Sequence, residues 1–517
     1  MLCGNTNQPQ KGFDRMADTN TALRNRWAFS LGTIGRDVVY NLFTVSLMSF
    51  ILFTKSLTNA QYAAVGTIFV VMRFYDALID PFIGGMVDNT RSRFGKFKPW
   101  IFAGMAVSAA VIVLLFTLPI YGWDFVVFMG VGYVMFATFF SLNDIAYWGM
   151  LPALSSDAPS ERHRLVSLSN ICAAAGAAMV MVLVPMLTAG ERTIGGNALK
   201  AYAVIAVVGA LMFIGFQSIT LVGVKEPQRQ TVNRDEPKEK LGFKNTVLTV
   251  WRNDQLLWAS VVLLLQGVMG GVGPVGAGIS MAYIYLKYGY NGMLMTLSMA
   301  GGISTIFIIV FLPKILERIS RRRFMFLACV AAGVGSVILL LSGLVLPREP
   351  WLLSFGVYAF SCAFTVGGNY AFYQVLFIDI ANTVEYNELK TGRRSEGLIF
   401  SLRPLMTQMA SGVTQLIAMV VLLALGITDI NREISNLENQ ASQLLITAEE
   451  KLEQIEAVIG AVPAGKTTAL LLCLALFPLA IALGGYWIYK TKFKLSEEKY
   501  AEVLAALEAR RADENQN

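Results

Sequence analysis

The stretch DALIDPFIGGMVDNTRSRFGKFKPW, residues 76–100, begins as an apolar run carrying two carboxylates, Asp76 and Asp80. It then enters a loop with Asp88, Arg91, Arg93, Lys96 and Lys98, and turns apolar again after Trp100. Ionisable groups inside an apolar run are costly in lipid unless they face protein or a water-filled path, and a basic loop closing such a run marks the cytoplasmic edge of a membrane. Asp76 and Asp80 are four residues apart, so on a helix both carboxylates share one face at about 5–6 Å. Two such groups in a low-dielectric site repel, which either raises one pKa or calls for a cation between them. Arg73 stands three residues before Asp76, and simple neutralisation by it is the competing structural reading.

The same alternation recurs in both directions. Of 517 residues, 55% are hydrophobic and 15% charged, more apolar matter than a soluble chain can cover. Runs of about 20 apolar residues, enough to cross about 30 Å of hydrocarbon, lie at 27–54, 61–87, 99–120, 123–152, 165–188, 200–223, 257–286, 293–313, 324–346, 350–381, 398–426 and 467–489. Residues 1–26 are polar, with Lys11, Arg15, Arg24 and Arg26 and no apolar core, so they are read as a tail and not a signal peptide. With that tail in the cytoplasm, about 31 of the 42 Lys and Arg residues fall on the cytoplasmic side. Both termini are then cytoplasmic, in a plasma or bacterial inner membrane, and the net charge of +7 needs no nucleic acid to explain it.

A charged stretch over 224–256 separates six runs from six, with a short interfacial helix expected near NTVLTVW (245–251). The expected fold is an all-α polytopic membrane protein of twelve transmembrane helices in two six-helix halves, the major facilitator fold. Its parts are an N-terminal tail (1–26), a first half (27–223), a central loop (224–256), a second half (257–489) with an outer helical insert (427–466), and a C-terminal tail (490–517).

The run GAVPAGKT, 460–467, fits the phosphate-loop pattern G-x-x-x-x-G-K-[ST], which would suit a nucleotide-driven pump. Its context argues otherwise: apolar residues at helical spacing from Ile430 to Ile459 precede it where a strand is needed, and it falls on the outer side. No nucleotide partner and no enzymatic activity are expected. Cys3, Cys172, Cys329, Cys362 and Cys473 are scattered free thiols, and with the lone His163 they make no metal site, so no cofactor is expected beyond a coupling ion.

The intramembrane charges concentrate in the first half: Arg36 and Asp37, then Arg73, Asp76 and Asp80, then Asp144; the second half offers Asp379 and Arg403. Asp144 and Trp148 share a helical face, pairing a hydroxyl acceptor with an indole able to cover a sugar ring. The basic cluster with Asp88, Arg91 and Arg93 suits a gate at the cytoplasmic face, or topological charge alone.

Residues 76–100, with GRDVVYN (35–41), SLNDIAYW (141–148) and DIANTVEYNELKTGRRSEG (379–397), resemble segments of the glycoside-pentoside-hexuronide:cation symporters, the melibiose permease family. The resemblance implies that Asp37 and Asp144, with Arg36 and Trp148 beside them, bind sugar hydroxyls, and that Asp76 and Asp80 hold H+ or Na+ with Ser141. It also places Asn170 where the family's fifth-span sugar-contacting Arg stands, and Gln408 where its eleventh-span Lys stands, with Arg403 about one turn away. Ile79 replaces an Asn of the sodium site and offers no oxygen, which leans the coupling towards a proton. Gln266, Arg403 and YAFYQ (370–374) are second-half candidates for the cavity wall. The partners are then a small sugar, a monovalent cation and the bilayer, in a cation-coupled importer working by alternating access. A lipid or drug transporter on the same fold is the alternative. The segment 427–466 is longer than the family pattern and is read as an amphipathic helix or helical pair over the outer opening.

Overall fold

The computed structural model describes residues 8–90, 92–154, 159–225, 253–272, 278–290, 294–346, 351–391 and 396–514. Arg91, the central loop 226–252 with its NTVLTVW stretch, and the side chains of Asp88, His163 and Arg403 lie outside the described residues. Eleven helices among the described residues are long and apolar enough to cross a membrane, from Leu23–Thr54 to Ala464–Lys492, making this a multi-pass membrane protein. Helices dominate because in hydrocarbon each backbone N–H and C=O must be satisfied within its own segment.

The first span is α1 (Gln8–Asn41), a π-helical turn at Leu42–Ser46, and α2 (Leu47–Thr54). The helix therefore starts within the stretch expected as a tail. The remaining first-half helices are α3 (Asn59–Asp88), α4 (Lys98–Thr117), α5 (Gly122–Leu154), α6 (Pro159–Thr188) and α7 (Ala198–Gly223). A capping box opens α3: Thr58 Oγ1 accepts from Gln61 N, and Gln61 Oε1 accepts from Thr58 N.

The expected run 257–286 is not one helix but two, α8 (Asp254–Val272) and α9 (Ile279–Tyr288). Gly278, immediately before Ile279, lies at φ +54, a conformation that no α-helix contains, so one helix does not run through it. Helix α10 (Leu294–Leu316) falls on the expected run at 293–313, and α11 (Arg321–Val345), α12 (Trp351–Thr391) and α13 (Glu396–Ala424) follow. The insert is a helical pair, α14 (Ile427–Ser442) and α15 (Ala448–Gly460), one of the two forms expected for it. Thr447 and Glu450 form a capping box that starts the second of them. The chain ends with α16 (Ala464–Lys492) and α17 (Glu497–Glu514). Cys172, Cys329, Cys362 and Cys473 are free thiols, as read from their scatter.

Three buried clusters show how the bundle is joined. The largest spans both halves of the sequence, with Phe53, Tyr62 and Tyr202 alongside Tyr285, Tyr358 and Leu422, at the end of the bundle that carries the insert. At the end carrying the chain termini the packing divides. One cluster draws on residues 256–507 and the other on residues 28–224. The two sequence halves thus meet at the insert end and keep separate cores at the terminal end.

Arg321, Asp379 and Tyr489 tie the second half together. Arg321 Nη1 donates to Asp379 Oδ1 and Tyr489 Oη to Asp379 Oδ2, both at 2.7 Å, and Asp379 is fully buried. Glu497 of α17 accepts from the Arg321 backbone N–H at 2.7 Å. Asp379, which stood out as an intramembrane charge, is therefore occupied in holding three helices, α11, α12 and α16, together.

Candidate solute and cation site

Close helix approach sets the position of α1. At Gly35 a Cβ would lie 2.7 Å from Met212 O and Phe213 Cα of α7, and at Gly176 of α6 it would collide with Ile34 O. Glycine lets the backbones touch, as small residues do between membrane helices. The rotation of α5 is fixed by a reciprocal amide pair, Asn143 Nδ2 to Gln217 Oε1 at 2.7 Å and Gln217 Nε2 to Asn143 Oδ1 at 2.9 Å, with a further bond from Asn143 to Ile101 O at 2.8 Å. These fixed helices point Arg36 and Asp144 at one another. Gly176→Ala is expected to lower stability by about 1–3 kcal/mol, as overpacking does; thermal unfolding in detergent measures it, and an unshifted midpoint refutes the close fit.

A cavity of about 220 Å³ lies between α1, α3, α5 and α13. Arg36 is its organising cation. Its Nε and Nη2 donate to Asp37 Oδ2 at 3.1 and 2.8 Å, Nη1 pairs with Asp144 Oδ1, and its guanidinium carbon sits 4.9 Å from the Trp148 ring centroid. Arg36 is only 8% exposed, whereas the Asp144 side chain remains 40% exposed and able to take hydroxyl donors from a ligand.

Asp76 and Asp80 line the same cavity. Arg73 Nη1 reaches Asp76 Oδ2 at 3.5 Å, while Asp80 Oδ2 accepts from Gln408 Nε2 at 3.5 Å, and Ser141 lines the cavity with them. The remaining oxygen of each, Oδ1, is buried with no hydrogen-bond partner among the described residues. Four aspartates and two arginines line the space, so with all ionised it carries a formal excess of two negative charges. Unpartnered, buried carboxylate oxygens in a negative cavity are what a proton or a small cation satisfies. Along the other wall Tyr40, Phe140, Phe136 and Phe43 form a continuous stack, with successive centroids 5.3, 5.2 and 3.8 Å apart.

Of the residues singled out in the sequence, Arg36, Asp37, Asp76, Asp80, Ser141, Asp144 and Trp148 line this one cavity. Asn170 does not: it is exposed on α6 and absent from the lining, because the side of α6 that meets α1 is the one carrying Ser169 and Gly176. Arg93 is exposed and stacks over the Phe94 ring at 4.7 Å. Gln266 bonds Asn369 Oδ1 at 3.1 Å and Gln374 bonds Tyr370 at 2.7 Å, so both are engaged within the second half, and Gln408 is the second-half residue in the lining. Tyr40 and Tyr133 also line the cavity, though neither was singled out in the sequence; Tyr40 stands one turn after Arg36, and Tyr133 has no such neighbour to mark it. The GAVPAGKT stretch runs from the end of α15 into α16, with Lys466 donating to Gly426 O at 3.4 Å, so a helix stands where a phosphate loop needs a strand.

Comparisons with known proteins bear on this arrangement. The family profile described as MFS/sugar transport protein matches residues 28–497. A lactose permease of Lactobacillus helveticus is 27% identical over 505 residues, 94% of this chain and 72% of that protein. A raffinose carrier protein of Pediococcus pentosaceus is 27% identical over 499 residues, 93% of this chain and 71% of that protein. Among solved structures, the nucleoside transporter NupG is similar in fold with a TM-score of 0.59 at 13% identity, covering 90% of this chain and 100% of that one.

Proposed function

We propose a function from one established premise: the chain belongs to the MFS/sugar transport protein family. On that premise it is a cation-coupled secondary transporter that carries a sugar or glycoside across the membrane by alternating access, with twelve spans in two halves of six and both termini cytoplasmic. The observation that carries the reading is the shared cavity, in which a polar cluster suited to hydroxyls, Arg36, Asp37 and Asp144, adjoins two carboxylates with unpartnered oxygens, Asp76 and Asp80. The similarity to a lactose permease and a raffinose carrier supports a sugar-like solute.

The cation sits at Asp76 and Asp80, with Ser141 and Gln408 beside it. Because Gln408 belongs to the second half, occupancy there links the two halves, and because Asp144 is on the same helix as Ser141, it also bears on the solute end of the cavity. A cation that favours the solute-binding arrangement raises solute affinity, and the solute raises cation affinity by the same factor. Ile79 packs into an apolar cluster and adds no oxygen, which supports a proton over sodium.

The test is uptake of labelled glycosides, pentosides and hexuronides into vesicles, with sodium and proton gradients imposed separately. Asp80→Asn is expected to abolish gradient-driven accumulation. Asp144→Asn is expected to lower uptake about 10- to 100-fold, the worth of a hydrogen bond to a charged group. Normal uptake by Asp144→Asn, or no sugar uptake under either gradient, favours a lipid or drug carrier instead.

A further inference from the structure

The helical pair α14 and α15 belongs covalently to the second half, since it joins α13 to α16, yet most of its polar contacts are with the first. Ser435 Oγ accepts from Ser56 N at 2.8 Å and lies 2.9 Å from Ser56 Oγ. Arg432 Nε donates to Leu57 O at 3.0 Å, and Asn439 Nδ2 to Thr54 O at 3.2 Å. These three side chains grip the loop between the first two spans. A second grip falls on the loop between α6 and α7, where Glu438 Oε2 accepts from Ala198 N at 2.7 Å and Lys451 Nζ donates to Gly196 O at 2.9 Å.

Glu438 and Lys451 stand 3.1 Å apart, and the two residues are 0% and 1% exposed. A buried pair of this kind contributes little net stability over an apolar pair, but it enforces one register, because displacing either partner strands the other charge. Here the register enforced is that of the insert against a first-half loop. On the other side Glu456 Oε1 accepts from Tyr290 N at 3.1 Å, so the pair is also braced on the second half.

We propose that α14 and α15 form a latch that holds the insert end of the transport cavity shut, and that the Ser435–Ser56 and Glu438–Ala198 contacts part each time that end opens. This rests on the alternating-access reading above, in which both ends open in turn. The latch favours the state in which the insert end is closed, and it sets how often the cavity opens there. An ornamental insert would touch the bundle through exposed, replaceable contacts, whereas this one buries an ion pair against a backbone N–H of the opposite half.

Two experiments test it. In the first, Ser56→Cys and Ser435→Cys are combined and the labelled-sugar uptake described above is compared before and after oxidation. Oxidised protein, verified as cross-linked by mass, is expected to lose at least tenfold in uptake and to regain it on reduction. Cross-linked protein that transports as fast as the reduced form overturns the latch. The second needs no solute. Spin labels at Glu191→Cys in the first half and Val345→Cys in the second report the separation of the halves at the insert end. Adding Glu438→Leu with Lys451→Met, which cuts the grip without stranding a charge, is expected to add a population at longer distance. An unchanged distance distribution in a folded variant refutes the latch even if the protein carries no sugar. Conversely, a widened distribution without sugar uptake keeps the latch and discards the sugar reading.

Discussion

Arg36→Gln is expected to reduce solute uptake by about a hundredfold or more. Arg36 bridges Asp37 and Asp144 and stacks on Trp148, so its loss leaves two carboxylates facing one another with no cation between them. Removing one partner of a buried pair costs about 3–5 kcal/mol. Were that cost borne fully by the solute-binding arrangement, the loss would be about two to four powers of ten. Arg36→Lys is expected to rescue little, because an ammonium cannot reach Asp37 and Asp144 together while stacking on an indole. Vesicle uptake measures the effect, with thermal unfolding of the purified variant separating a lost site from a lost fold. Uptake by a folded Arg36→Gln protein within about threefold of the parent would show that the cluster is structural only.

The second large effect concerns stability. Arg321→Ala leaves Asp379 fully buried with Tyr489 as its remaining partner, and a loss of about 3–5 kcal/mol is expected in thermal or denaturant unfolding. The double replacement Arg321→Met with Asp379→Leu is expected to recover most of it, since similar-sized apolar side chains fill the site without a desolvated charge. If the double variant is as unstable as the single one, the charged network itself, and not a filled apolar site, is what holds α11, α12 and α16 together.

How much of this was legible beforehand differs from element to element. The spans were, because hydropathy is a local property and the bilayer imposes one length on all of them. Their interruptions were less so. The break between α8 and α9 was foreshadowed by GPVGAG but outweighed by the apolar residues on both sides, and the division of the insert depended on the Thr447–Glu450 cap within a run of good helical spacing. Asn170 illustrates the limit of alignment. Its place in the order of residues matched a family position, but the contacts of α6 with α1 leave it off the cavity.

What the sequence determined by itself is the set of pairs written within single helices: Asp76 with Asp80, Arg73 with Asp76, and Asp144 with Trp148. A helix of 3.6 residues per turn makes each of these a matter of counting. The tertiary structure alone decided the pairs between helices: Arg36 with Asp144 across 108 positions, Gln408 with Asp80 across 328, Arg321 with Asp379, and the insert with the loops of the first half. Those depend on how each helix is rotated and set in depth against its neighbours. That is fixed by distant contacts, such as Gly35 on Met212 and Asn143 with Gln217, whose geometry no local spacing encodes.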